Sequence, residues 1–160
     1  MMRLLLQKGA KVNERNTGKQ TPLHLAIQKK HLGMVNLLMQ YKPNLRIADS
    51  YGRTPLHIAV RAKNLPITNL LLQAGSTPNT VDSDGNTPLF DALYWRKVQI
   101  ARALIKRGAR VNVANDRSQT PLDIALSKGL RGIATSMRQA GAQTSEELGS
   151  AGALRIKVIK

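Results

Sequence analysis

Two kinds of apolar stretch alternate along the chain. The longer kind carries Leu32, Met34, Val35, Leu37 and Leu38, then Leu65, Ile67, Leu70, Leu71 and Leu72, then Val98, Ile100, Ala101, Leu104 and Ile105. Apolar positions three and four residues apart are what an amphipathic helix packed on one face requires. The shorter kind always opens on Thr-Pro-Leu, at Thr21, Thr54, Thr87 and Thr120. Threonine is a good helix N-cap, and proline fits the first helical position, where no amide donor is needed. Helices are therefore predicted to begin at Pro22, Pro55, Pro88 and Pro121 and to end near Lys29, Ala62, Trp95 and Lys128. Pro66 falls in the first turn of its helix, where it is tolerated.

The four threonines stand 33 residues apart each time. A fixed period without insertions means one structural unit stacked on itself. After each second helix comes Gly75, Gly108 or Gly141, suited to the left-handed residue that ends a helix. Gly9 stands in the same register, so residues 1–8 read as the second helix of a preceding, incomplete unit. Between glycine and the next threonine lie runs such as Asp49-Ser50-Tyr51-Gly52 and Asp82-Ser83-Asp84-Gly85, in which Asp caps its own backbone and Gly takes positive φ.

The Thr-Pro-Leu-His-x-Ala signature, the Gly-Ala pairs at helix ends and the 33-residue period together resemble ankyrin repeats. The resemblance implies an all-α solenoid of helix-turn-helix units with projecting β-hairpin-like loops. It divides the chain into a half repeat at 1–15, repeats at 16–48, 49–81, 82–114 and 115–147, and a basic tail at 148–160. The mid-unit start leaves the apolar side of residues 1–8 uncovered, so that end frays, pairs with another molecule, or reflects a truncation. The last six residues, from Arg155, show weak strand-like alternation. Three departures stand out. Lys42, followed by Pro43, occupies a glycine slot, which predicts an irregular turn there. Lys19 and Ser118 replace the loop glycine, which predicts altered loop tips. Asp91 sits where Leu25, Ile58 and Ile124 stand elsewhere, and is expected to be partly exposed or paired with an arginine.

Composition changes this picture in two ways. With five aromatics the core must be Leu, Ile, Val and Ala, and with no cysteine there are no disulfides, thiolate metal sites or cysteine nucleophiles. Three consecutive leucines at Leu4–Leu6 are too few for a signal peptide or a membrane span, which points to the cytoplasm, with the nucleus or the interior of a host cell as alternatives. The formal charge of +16 implies attraction to acidic protein surfaces, nucleic acid or anionic lipid, unless the excess serves solubility alone.

No phosphate loop, paired acidic dyad or serine elbow is present, so the chain is expected not to be an enzyme and to need no cofactor or metal. His24 and His57 are the signature histidine, which the resemblance assigns to tying consecutive loops together. His31, between the helices of the first unit, is also read as structural. The resemblance instead implies a protein-interaction module or adaptor whose concave face is built from loop tips and the exposed part of the first helices. Transferred to this chain, the partner-binding candidates are Tyr51, Arg53, Arg61, Asp84, Tyr94, Trp95, Arg117 and Lys128. Tyr, Trp and Arg are the residue types that dominate interface energetics. The alternative for Trp95 is that it folds over the inter-helix turn and fills space. A second candidate is a basic patch of Arg96, Lys97, Arg102, Lys106, Arg107 and Arg110, able to meet phosphates of nucleic acid or an anionic membrane. The expected partner is a protein with an acidic surface, bound by a monomer, with self-association through the N-terminal end as an alternative.

Overall fold

The computed structural model describes residues 9–149. The readings of residues 1–8 as a half unit and of 155–160 as strand-like lie outside that range. Eight helices between 22 and 139 form four pairs: α1 (Pro22–Gln28) with α2 (Leu32–Gln40), α3 (Pro55–Arg61) with α4 (Leu65–Gln73), α5 (Pro88–Tyr94) with α6 (Val98–Lys106), and α7 (Pro121–Ser127) with α8 (Arg131–Gln139). A further helical turn covers 145–149. No strand occurs among the described residues, and none of their helices is long and apolar enough to cross a membrane. The first helices stack side by side, α1 on α3 on α5 on α7, and each second helix packs against its own first helix. This is the expected all-α solenoid.

The core is one continuous aliphatic seam. Leu23, Ile27, Leu56, Leu89, Leu93, Leu104 and Leu122 are fully buried along it, and Phe90 is its one buried aromatic. No unit encloses its apolar face alone, so each depends on its neighbours for burial.

Polar side chains at fixed offsets hold successive units in register. His24 Nδ1 accepts from the Thr21 N–H (3.2 Å), so the ring proton is on Nε2, which donates to the Arg53 carbonyl (3.2 Å) in the next loop. His57 repeats this with Thr54 (3.2 Å) and the Asn86 carbonyl (3.1 Å). Burial pushes both imidazoles below their ordinary value, against the backbone acceptors that pull them up, and this suits the neutral tautomer. In the last unit Asp123 takes the histidine's place. Its Oδ2 accepts from Thr120 N–H (2.8 Å) and Ser145 N–H (3.0 Å), tying α7 to the 145–149 turn. In the third unit Phe90 stands there instead, and the buried Thr87 Oγ1 is left without a partner. At the opposite end of the units, Asn79 and Asn112 bridge successive turns. Asn79 accepts from Arg110 N–H (2.8 Å) and donates to the Gly108 carbonyl (3.0 Å), and Asn112 does the same with Gln143 and Gly141.

Two expectations are corrected. Lys19 and Ser118 adopt φ of 57° and 58°, beside 72° and 70° at Gly52 and Gly85, so all four loop tips share one left-handed conformation. The same backbone bond closes each tip, from Lys19, Gly52, Gly85 or Ser118 N–H to the carbonyl three residues earlier, and it fixes the turn whatever the side chain. Gly85 has a second reason to be glycine. A Cβ there would lie 2.4 Å from Asp116 Oδ1 and 2.8 Å from Asp116 N. The Lys42 turn is also left-handed (φ 49°) and keeps the bond from its own N–H to Met39 O. What it lacks is the second closing bond, made by Ser76, Ala109 and Ala142 in the other units, because Pro43 has no N–H.

The inter-helix turns are left-handed too, at Lys30 (55°), Lys63 (57°), Arg96 (55°) and Gly129 (66°). An L-residue at that conformation costs about 1 kcal/mol relative to glycine. Three of the four units carry this cost on a basic residue.

Candidate functional site

The loop tips stand in a row because each donates one backbone hydrogen bond to its predecessor: Ser50 to Gly18, Ser83 to Tyr51, and Asp116 to Asp84. Within a tip the leading Asp or Asn accepts from the amides two and four residues on, as Asp49 does from Tyr51 and Arg53, and Asp82 from Asp84 and Asn86. The tips and the C-terminal ends of the first helices lie along one face of the stack.

A cleft of about 330 Å³ opens on that face between the third and fourth units. Six of the eight partner-binding candidates line it: Arg61, Asp84, Tyr94, Trp95, Arg117 and Lys128. Arg53 borders an adjacent groove that also contains Arg61, and stacks on Tyr51 with its guanidinium carbon 4.4 Å from the ring centre.

Two adjacent aromatics of the third unit are flanked by a cation from each neighbouring unit. Tyr94 and Trp95 meet edge to face, with centroids 5.3 Å apart and planes at 87°. Lys128 Nζ lies 4.1 Å from the Tyr94 ring centre, and Lys63 Nζ 4.7 Å from that of Trp95. Even so, Tyr94 remains 52% and Trp95 41% exposed. Trp95 lines the cleft, and an amphipathic ring flanked by cations suits a partner that is part apolar and part anionic.

Two of the basic candidates are occupied within the chain. Arg53 donates through Nε (3.0 Å) and Nη2 (2.8 Å) to Asp49 Oδ2. Burial raises the Asp49 carboxyl, but the Arg53 side chain and the amides of Arg53 and Tyr51 outweigh it, and the group lies below its ordinary value. Arg61 Nη1 donates to Asp91 Oδ1 (3.0 Å) and stands 4.0 Å from Asp82 Oδ2. Asp91 was expected to be partly exposed or paired with an arginine, and it is paired but buried, at 6% exposure. Its Oδ2 has no partner, and burial pushes the carboxyl up to about 6 in spite of Arg61, with Asp82 adding to the rise. The cations of the cleft without a carboxylate partner among the described residues are Arg117 and Lys128.

Sequence reasoning set Asp91 aside as structural and overlooked Lys63 and Asn115. All three touch the site: Asp91 and Asn115 in the cleft wall, Lys63 on Trp95. The signal was available in the spacing. Arg61 and Asp91 are 30 residues apart, and Lys63 and Trp95 are 32 apart, close to one repeat length, which places each pair on neighbouring units.

The basic patch runs along the length of α6. Arg96 and Lys97 lie at the N-terminal end of α6, while Lys106 and Arg107 end it and Arg110 follows. A nine-residue helix is roughly 13 Å long, and Arg102 is exposed between its two ends.

A family model described as ankyrin repeats (3 copies) matches the chain at residues 1–82 and again at 64–146. No curated protein matches it.

Proposed function

This chain belongs to the ankyrin-repeat family, and on that footing we propose that it works as an adaptor holding an acidic segment of a partner protein in the cleft between its third and fourth units. The family consists of protein-interaction modules and is typically non-enzymatic. The carrying observation is the Tyr94–Trp95 pair, more than 40% exposed in a chain with five aromatics and flanked by cations. An apolar side chain of the partner would lie against the rings, and its carboxylates would reach Lys128 and Arg117. Arg53 and Arg61 are each paired with an internal carboxylate, and in this reading they also hold their loop and helix in place beside the cleft. A stack of units suits this task, because a preformed surface loses little conformational freedom on binding. The cytoplasm is the proposed location.

The test is affinity capture from native lysate with mass spectrometry, comparing the wild-type chain with Trp95→Ala/Lys128→Ala. Both positions are at least partly exposed, so the double variant should keep its helical circular dichroism while losing the captured partner. Recovery of the same partner at the same yield would defeat the proposal.

A further inference from the structure

Charge is divided unevenly between the two ends of the first helices. The hairpin end holds most of the chain's acids. The other end is the rim formed by the four inter-helix turns. Residues 28–37, 61–70, 94–103 and 127–136, which comprise those turns and the helical turns that follow them, contain nine Lys and Arg and no Asp or Glu, and of the nine Arg61 is paired with Asp91. Neighbouring turns adjoin: Lys30 and Lys63 line one shallow groove, and Lys63, Arg96 and Lys97 line the next. Three of the four left-handed residues on this rim are the bases Lys30, Lys63 and Arg96, at the conformation where glycine would be unstrained. Strain retained at corresponding places in successive units points to a use for the side chains that carry it.

We infer that this rim docks on the anionic face of a lipid bilayer. Stacked helices lie roughly 8–10 Å apart, so four turns make an edge about 30 Å long that a flat charged surface can touch along its length. Apolar side chains sit among the cations. Leu32 is 42% exposed two residues from Lys30, and Trp95 directly precedes Arg96. Tryptophan and leucine beside lysine and arginine suit the headgroup boundary, where ring and chain enter the interface and cations meet phosphates. A nucleic acid backbone would use the cations but gain little from the leucine. The rim also offers no helix or strand free to enter a groove, since its helices are packed on one another.

The test uses Lys30→Gly/Arg96→Gly, which removes two charges and the strain together and leaves Lys63, Trp95 and Lys128 in place. Partition is measured by co-sedimentation with phosphatidylcholine vesicles, with and without phosphatidylserine, and against a random-sequence DNA duplex at the same ionic strength. The wild-type chain should bind the phosphatidylserine vesicles over the neutral ones, with the emission of its single tryptophan moving to the blue. Each cation near such a surface changes partition about fivefold, so the double variant should bind roughly 25-fold more weakly while its thermal midpoint stays level or rises. Equal binding to neutral vesicles, undiminished binding by the double variant, or tighter binding to the duplex than to the vesicles would each overturn the inference.

Discussion

Asp91→Ile restores the residue type that Ile58 and Ile124 supply at the same place in the neighbouring units, where they are 6% and 7% exposed. A folded-state value of about 6 against 3.8 for an ordinary aspartate means that keeping this carboxylate ionised in the folded chain costs about 3 kcal/mol, with the Arg61 pairing already included. Because the folded value is raised, the native state binds more protons than the unfolded one between about pH 4 and 6. Stability from this group is therefore full below that window and is lost as pH rises through it. Replacing Asp91 leaves Arg61 without its nearest partner, but its side chain is 37% exposed and Asp82 stays within 4.0 Å, so that loss is about 1 kcal/mol. The variant should be more stable than wild type by about 2 kcal/mol at neutral pH, a rise of roughly 4–8 °C in Tm for a chain of this size. The advantage should shrink as pH falls from 6 to 4. His24 and His57 weaken both proteins alike on acidification and cancel in the difference. Urea unfolding followed by circular dichroism across that range measures it. A variant less stable than wild type at neutral pH, or an advantage that does not change with pH, would refute the reasoning. Arg61→Ala should do the opposite, losing about 3 kcal/mol or more by leaving Asp91 buried and uncompensated.

His57→Phe, which copies the third unit's Phe90, should cost about 2–3 kcal/mol in the same assay, since Thr54 and the Asn86 carbonyl both lose their partner. Gly85→Ala should cost about 2 kcal/mol or more, because the methyl meets Asp116 and the residue must hold φ of 70°. Ser118→Gly, at the last tip and with the same backbone, should be neutral or stabilising by up to about 1 kcal/mol, and chemical denaturation of the pair separates the contact from the conformation.

The elements that repeat were legible because each acts locally. Thr21, Pro22 and His24 cap, start and tie their own helix, and the same residues at a 33-residue offset do so again. The tip conformation at Lys19 and Ser118 was misjudged for a related reason: the closing bond to the residue three earlier dictates φ, and glycine is only the least strained way to obey it. Pairs across units were harder to see. Nothing next to Asp91 in the chain announces Arg61, and whether an acid at an apolar slot is exposed depends on how deeply the neighbouring helix covers it. The asparagine bridges and the cationic rim were hidden likewise, since both exist only once the units are stacked.

The departures from the repeat are concentrated in the third unit. Phe90 displaces the histidine and leaves Thr87 Oγ1 unpartnered, and Asp91 displaces an isoleucine and leaves Oδ2 unpartnered. Those are two of the three buried side-chain atoms without a hydrogen bond among the described residues. Tyr94 and Trp95 follow in the same helix and turn, both exposed. A sequence free to optimise stability would replace Asp91 with isoleucine, as Ile58 and Ile124 in its own second and fourth units demonstrate. Local rules broken together in one unit, beside the cleft that the aromatics border, are expected where stability has been given up for binding. If so, Asp91→Ile should gain stability and weaken partner capture together, whereas Ser118→Gly should leave capture unchanged.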